Sequence, residues 1–299
     1  MTAGRKEIVH GQLSIPGRSD DLVLLKKLEM AILRSTKGPE RFKKEVPLLL
    51  RRAIDEVIDA PRTGRFTVDE LEKTEKTYLG TKVEILLRNR FRFPKGKALD
   101  LSIDGIDVDV KNTMGDNWMI PHEAVGRPCL LVKTDEKRAR FSIGIIVARA
   151  EFLHEGANQD GKRGFSAAGK MEVHWILKDE PYPENFWQGI SEDLRRKITS
   201  QPSGTKRVDV LFRQVQKRPI SRSQVLAVAP QRDAMKRLRK NGGARDSLAK
   251  DKIALLSGYF DKKLIEELKL PKCAKDEFIS FAPTTESELQ LLKKSGQLK

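Results

Sequence analysis

Ala98-Leu-Asp-Leu-Ser-Ile-Asp-Gly-Ile-Asp-Val-Asp-Val-Lys-Asn-Thr113 places four aspartates and a lysine on what otherwise reads as a tight β-hairpin. Asp104-Gly105 is a two-residue turn signal between two alternating segments. With the turn there, Ile103 faces Ile106, Leu101 faces Val108 and Leu99 faces Val110, which makes one apolar face. The other face sets Ser102 against Asp107 and Asp100 against Asp109, with Lys111 two residues further on. Like charges across a ladder repel. At about 5 Å and an effective dielectric of about 20 the cost is roughly 3 kcal/mol, and a cation held between the carboxylates would remove it. Alternating polar residues usually mark a wet face, and Asp107 reads as no more than that. Aspartate is nonetheless depleted in strands, so three on one face point beyond solvation.

Upstream, Thr81-Lys-Val-Glu84-Ile-Leu-Leu87 sits in a helical pattern. Glu84 shares a helix face with Gly80, Leu87 and Phe91, a core-facing stripe with a carboxylate in it. Pairing with Arg88 is the plain reading. Burial without a partner is costly, so a metal or fixed cation is the natural partner if Glu84 faces inward. A helical glutamate, an aspartate, and Asp109-x-Lys111 on the adjoining strand form the Asp…Asp-x-Lys arrangement of metal-dependent nucleases. There the carboxylates hold Mg²⁺ and the lysine stands beside the attacking water. Val110 is the apolar x residue, packing behind the site.

The 299 residues leave room for one large or two medium domains. Lys and Arg number 58 against 42 Asp and Glu, a formal charge of +16, which suits a polyanionic partner. Residues 201–250 hold 13 basic and 3 acidic side chains, so +10 of the excess sits in fifty residues. Cys129 and Cys273 allow no disulfide framework or zinc pattern, and His10, His122, His154 and His174 show no ligand spacing. With neither an apolar leader nor a run long enough to cross a bilayer, a soluble protein of the cytoplasm is expected.

Helical patterns run through Leu22, Leu25, Leu28 and Ile32, and again around 46–58, ending at Pro61-Arg-Thr-Gly64. Thr67-Val-Asp-Glu70 reads as a capping box opening the helix that runs toward Phe91. Residues 129–133 and 141–148 read as buried strands, and 151–170 as loop. The prolines and charges of Lys178-Asp-Glu-Pro-Tyr-Pro-Glu184 read as a linker. Beyond it, Val208, Leu211, Phe212 and Val215 form a helical stripe, and Ser221-Arg-Ser-Gln224 caps a second helix. After Pro230 a basic helix is expected over 231–240, stopped by Asn241-Gly242-Gly243. This matches a helix-turn-helix outline, with a strand pair over 247–257 as a wing. Met235 and Leu238 would be core, while Arg232, Lys236, Arg237, Arg239 and Lys240 project as DNA contacts. A solvated face is the usual reading of such a helix, but five cations after a turn favour DNA. Trp118 reads as packing, and Glu75 falls on the helix face opposite Glu84.

The chain also resembles the NaeI family of type II restriction endonucleases from about residue 50 to about residue 270. The likeness rests on Arg62-Thr-Gly-Arg65, Lys73-Thr-Glu-Lys-Thr77, Gly80-Thr-x-Val-Glu84, Asp109-x-Lys111 and Trp118-Met-x-Pro121. It continues in Leu211-Phe-Arg213, Met235-Lys-Arg-x-Arg239 and Gly242-Gly-Ala-Arg245. The family's catalytic carboxylates and lysine fall on Glu84, Asp100, Asp109 and Lys111, with the three carboxylates as metal ligands; Arg245 joins the DNA contacts. The resemblance implies an α/β fold: a restriction-endonuclease-like core with a mixed sheet flanked by helices over 1–177. A linker over 178–184 and a mainly α winged-helix DNA-binding domain over 185–299 would follow. It further implies a Mg²⁺-dependent homodimer, bacterial and cytoplasmic, that cuts a palindromic duplex within a restriction-modification system. A second DNA copy would activate it, and GCCGGC is the first sequence to try. The competing classes are a nicking repair endonuclease and a non-catalytic DNA-binding regulator.

Overall fold

The computed structural model describes residues 18–230 and 233–298, and these form two compact units. The first contains the described residues up to Val57 together with Leu71–Asn185; the second contains Ile58–Glu70 and Phe186 onward. Among the described residues no helix is long and apolar enough to cross a membrane.

In the first unit, helices α1 (Arg18–Ser35), α2 (Pro39–Ile58) and α3 (Lys73–Phe91) flank a five-stranded mixed sheet. Its strands are β1 (Leu101–Ile103), β2 (Ile106–Thr113), β3 (Pro128–Asp135), β4 (Arg140–Val147) and β5 (His174–Pro181). They lie in sequential order, with β2 and β3 parallel and the remaining neighbours antiparallel. The hairpin has the expected register, Leu101 opposite Val108, Ser102 opposite Asp107 and Ile103 opposite Ile106. Asp104 (φ 52°) and Gly105 (φ 81°) are both left-handed, as a turn matching the strand twist requires. Leu79, Val83, Leu87 and Phe91 recur every four residues as the buried stripe of α3, which packs on β2. Leu25, Leu28 and Ile32 of α1 are buried, whereas Leu22 is exposed.

Two local readings are corrected. Glu70 does bond back, its Oε2 accepting from the Phe66 and Thr67 amides at 2.6 Å, but it closes a single 3₁₀ turn in the second unit. The box that opens α3 is Glu72 with Glu75, the Glu72 amide donating to Glu75 Oε2 at 2.9 Å. The segment expected as a linker, 178–184, is largely strand: Glu180 pairs with Phe141 and Pro181 with Arg140. Pro181 is the last residue of an edge strand, where a missing amide costs nothing. Tyr182 is buried and its hydroxyl bonds to Glu136. The chain passes between the units three times, at 57/58, 70/71 and 185/186.

The second unit carries α4 (Glu192–Thr199), α5 (Gly204–Gln214), β6 (Ile220–Ser221), α6 (Arg222–Val228) and α7 (Ala244–Lys250). There follow β7 (Ala254–Ser257), α8 (Lys262–Glu267), β8 (Glu277–Phe281) and α9 (Glu286–Lys294). The strands make an antiparallel sheet in the order β6-β8-β7. Val208, Leu211, Phe212 and Val215 are buried as one stripe, and the Ser221–Gln224 capping box is formed. The basic helix is not. Ala234–Leu238 is a short 3₁₀ helix, and Arg239 after it is extended (φ −75°, ψ 163°). The expected wing strand over 247–250 is instead the end of α7, and only 254–257 is strand. Gly243 opens α7 where a Cβ would collide with the Arg239 carbonyl. Arg232 and Gln231 lie outside the described residues.

Candidate active site

Asp109 sits in the middle of β2, with Val108 and Val110 buried on either side of it. Both faces of the sheet are therefore covered at this point, and the aspartate faces a closed interior. Its side chain is only 6% exposed. Lys111 Nζ stands 2.7 Å from Asp109 Oδ2, an ion pair by distance but poorly directed as a hydrogen bond. Oδ2 has no hydrogen-bond donor, and the ammonium donates to the Val110 carbonyl at 3.3 Å. Burial pushes the Asp109 carboxyl from its ordinary 3.8 up to about 6; Lys111 opposes the rise and the neighbouring Asp100 adds to it. The repulsion expected across the hairpin is thus present, with desolvation as the larger cause.

Asp100 is delivered by a short loop rather than by β1 itself. Gly96 lies where a Cβ would collide with the Leu99 carbonyl, so the loop closes only with glycine there. The Ser102 amide donates to the Pro94 carbonyl at 2.9 Å. Both oxygens of Asp107 accept from this loop, from the Lys97 amide at 3.0 Å and the Ala98 amide at 2.8 Å. These amides, Ala98 first, hold the Asp107 carboxyl below its usual range. Asp100 Oδ2 accepts from the Val110 amide at 2.8 Å, which fixes it beside Asp109. Asp107, read from sequence as a wet-face residue, is a brace for the loop carrying Asp100. The bond that makes it one runs to backbone and leaves no side-chain pattern in the sequence.

Glu84 lies on α3 with a side chain 20% exposed, paired with Arg88 at 3.1 Å. Burial raises its carboxyl above the ordinary value, Asp100 raises it further, and Arg88, Lys111 and Lys95 oppose. Electrostatic reach thus joins Glu84 to Asp100 and Lys111, while its direct contact is Arg88. Among the described residues no three His, Cys, Asp or Glu side chains are gathered at metal-ligand spacing. The donors are all carboxylate oxygens, the type a hard cation takes, and Asp109 Oδ2 is a buried acceptor lacking a donor. The chemistry of the donors, though not their present spacing, suits a hard cation such as Mg²⁺. Trp118 is packing, as read: it is buried, its Nε1 donates to the Val132 carbonyl at 2.8 Å, and Trp175 and Phe165 surround it. Glu75 is spent on the α3 cap.

In the second unit, Lys236, Arg239 and Lys240 are exposed, and Arg237 and Arg245 are half-buried. Lys236 pairs with Asp233 at 3.0 Å and Arg245 lies 3.7 Å from Asp261. Leu238 is core and Met235 half-buried.

Comparison with known proteins gives two concordant findings. The family model described as "Restriction endonuclease NaeI" matches residues 40–288. The type II restriction enzyme NaeI of Lentzea aerocolonigenes is 36% identical over 241 residues, covering 78% of this chain and 76% of that protein.

Proposed function

This chain belongs to the NaeI restriction endonuclease family, and on that premise we propose that it is a type II site-specific deoxyribonuclease that cuts both strands of DNA with Mg²⁺. The observation that carries the reading is the buried Asp109 carboxylate with Lys111 at 2.7 Å and Asp100 locked beside it, within the matched segment. Asp109, Asp100 and Glu84 would hold the cation, with Glu84 exchanging its Arg88 partner for it. When bound, the ion polarises the scissile phosphate and offsets the charge that develops on it. Lys111, its side chain 23% exposed, reaches the open edge of the site. Its positive charge attracts the phosphate and favours hydroxide over water beside it. Val110, buried behind the two, keeps them in register on one strand face. Asp107 keeps the Asp100 loop in place.

The second unit is read as a winged-helix-like DNA-binding unit. Helices α5, α6 and α7 with the β6-β8-β7 sheet support this, as does the basic block that includes Lys236, Arg237, Arg239, Lys240 and Arg245. Its duplex would be an effector copy of the site, with the enzyme a homodimer on a palindrome, acting in the cytoplasm of a bacterium as part of a restriction-modification system. The test is supercoiled plasmid bearing GCCGGC, with Mg²⁺ or with chelator. Linear product with fixed ends, only with Mg²⁺, is expected. Nicked circles as the end product would make it a nicking enzyme, and binding without any cut a regulator.

A further inference from the structure

The second unit holds a cavity of about 470 Å³, within the range of small-ligand sites. Its lining includes four cations, Arg239, Lys240, Arg245 and Lys275, and two adjacent aromatics, Tyr259 and Phe260; among the described residues no Asp or Glu lines it. The aromatic pair is unusual for a water-facing surface: Tyr259 is 60% and Phe260 82% exposed. Their rings meet edge to face at 4.8 Å, so one face of one ring is covered, and the exposure of both residues leaves the remaining faces open. The backbone beneath them is fixed. The Gly258 amide donates to the Glu277 carbonyl at 2.9 Å, and a Cβ at 258 would collide with the Ala274 carbonyl. Lys240 is steered by the Gly296 carbonyl at 2.7 Å. Arg245 is partly desolvated, with Asp261 at 3.7 Å as a weak counterion, and burial holds its guanidinium below its ordinary pKa.

We infer that this cavity takes one unstacked nucleotide of a DNA strand, its base stacked on one ring of the Tyr259–Phe260 pair with the other ring at its edge, and its phosphate among Arg239, Lys240, Arg245 and Lys275. Cations alone would suit any phosphate, and aromatics alone any apolar group. Together, on a rigid surface, they match a base joined to a phosphate, the pairing used by single-strand binders. A stacked duplex hides its base faces, so only a base out of the stack can enter. The inference rests on reading this unit as DNA-binding, and it names what that unit takes beyond a duplex.

The test is fluorescence anisotropy of the full chain in chelator, with three probes: an adenine pentanucleotide, an abasic strand of the same length, and a blunt duplex. The adenine strand should bind at least about tenfold more tightly than the abasic one. Tyr259→Ala and Phe260→Ala, at exposed positions that leave folding intact by thermal melt, should each weaken the adenine strand roughly five- to a hundredfold and close that gap. Lys275→Gln should weaken both strands alike. Equal binding of adenine and abasic strands, or adenine binding unmoved by both aromatic substitutions, overturns the inference. If the duplex binds and the adenine strand does not, the inference fails and the DNA-binding reading of the chain stands. If neither binds, both fall.

Discussion

Asp109→Asn should gain stability while losing activity, and the gain should depend on pH. The wild-type carboxyl is pushed from 3.8 to about 6 by burial and by Asp100. A carboxyl with a raised folded pKa holds its proton more tightly in the native state than in the unfolded chain. The stability it contributes is therefore complete below about pH 4 and is lost as pH rises through about 6. Above that, the folded protein bears a buried, under-solvated charge. A shift of about two units corresponds to about 3 kcal/mol, and a side chain only 6% exposed leaves little for solvent to screen. Asparagine has nearly the same shape and cannot ionise. Metal-free Asp109→Asn should thus exceed wild type by on the order of 2–3 kcal/mol at about pH 8, and the gap should close toward about pH 4. Urea unfolding in chelator across that range measures it. Mg²⁺ should raise the wild-type midpoint at high pH and leave the asparagine variant unmoved, and plasmid cleavage by the variant should be lost. Parallel pH–stability curves for the two proteins would refute the argument, because Asp109 would then not be the strained group.

Glu84→Ala and Asp100→Ala should slow cleavage and shift the Mg²⁺ requirement upward, read from rate against Mg²⁺ concentration; unchanged titrations for both would remove them from the site. Phe66→Ala should cost about 3–5 kcal/mol in the unfolding of the second unit, because Phe66 is buried with its ring centroid 4.6 Å from that of Trp187. For the same reason a fragment beginning at Phe186 should lack a cooperative melt, and circular dichroism against temperature decides it. Arg237→Glu combined with Arg239→Glu should abolish the stimulation of single-site plasmid cleavage by added duplex and leave slow basal cutting. Full-speed cutting of single-site plasmid by the unaltered protein would mean that no effector site operates.

The catalytic strand was readable because its signals are local and redundant. Asp-Gly can close a two-residue hairpin in only one register, and a one-residue slip would send Leu101, Ile103, Val108 and Val110 to the wrong face. Asp100, Asp109 and Lys111 then follow by counting. What counting could not show is that Asp109 is enclosed on its own face, since strand alternation does not say what covers a face. Nor could it show whether Glu84 would meet Asp100 or Arg88; the structure gives it Arg88 by contact and Asp100 by field.

The second unit was harder to read for a reason that also bears on how it is held together. Its helix stripe at 208–215 and the capping box at 221–224 are periodic, local patterns, and both formed. The basic run around 234–240 had a helical composition, but propensity is a weak prior that tertiary context overrides, and residues 234–238 folded as a short 3₁₀ helix. The excursion of 58–70 into this unit had no signal at all. Val68 read as part of the capping box of the next helix, and only the burial of Phe66 against Trp187, more than a hundred residues on, gives the segment its place. A boundary drawn where composition shifts assumes that each unit is continuous in sequence, and this one is not. The two units consequently share three covalent crossings, and the one at 70/71 lies directly ahead of the helix that carries Glu84.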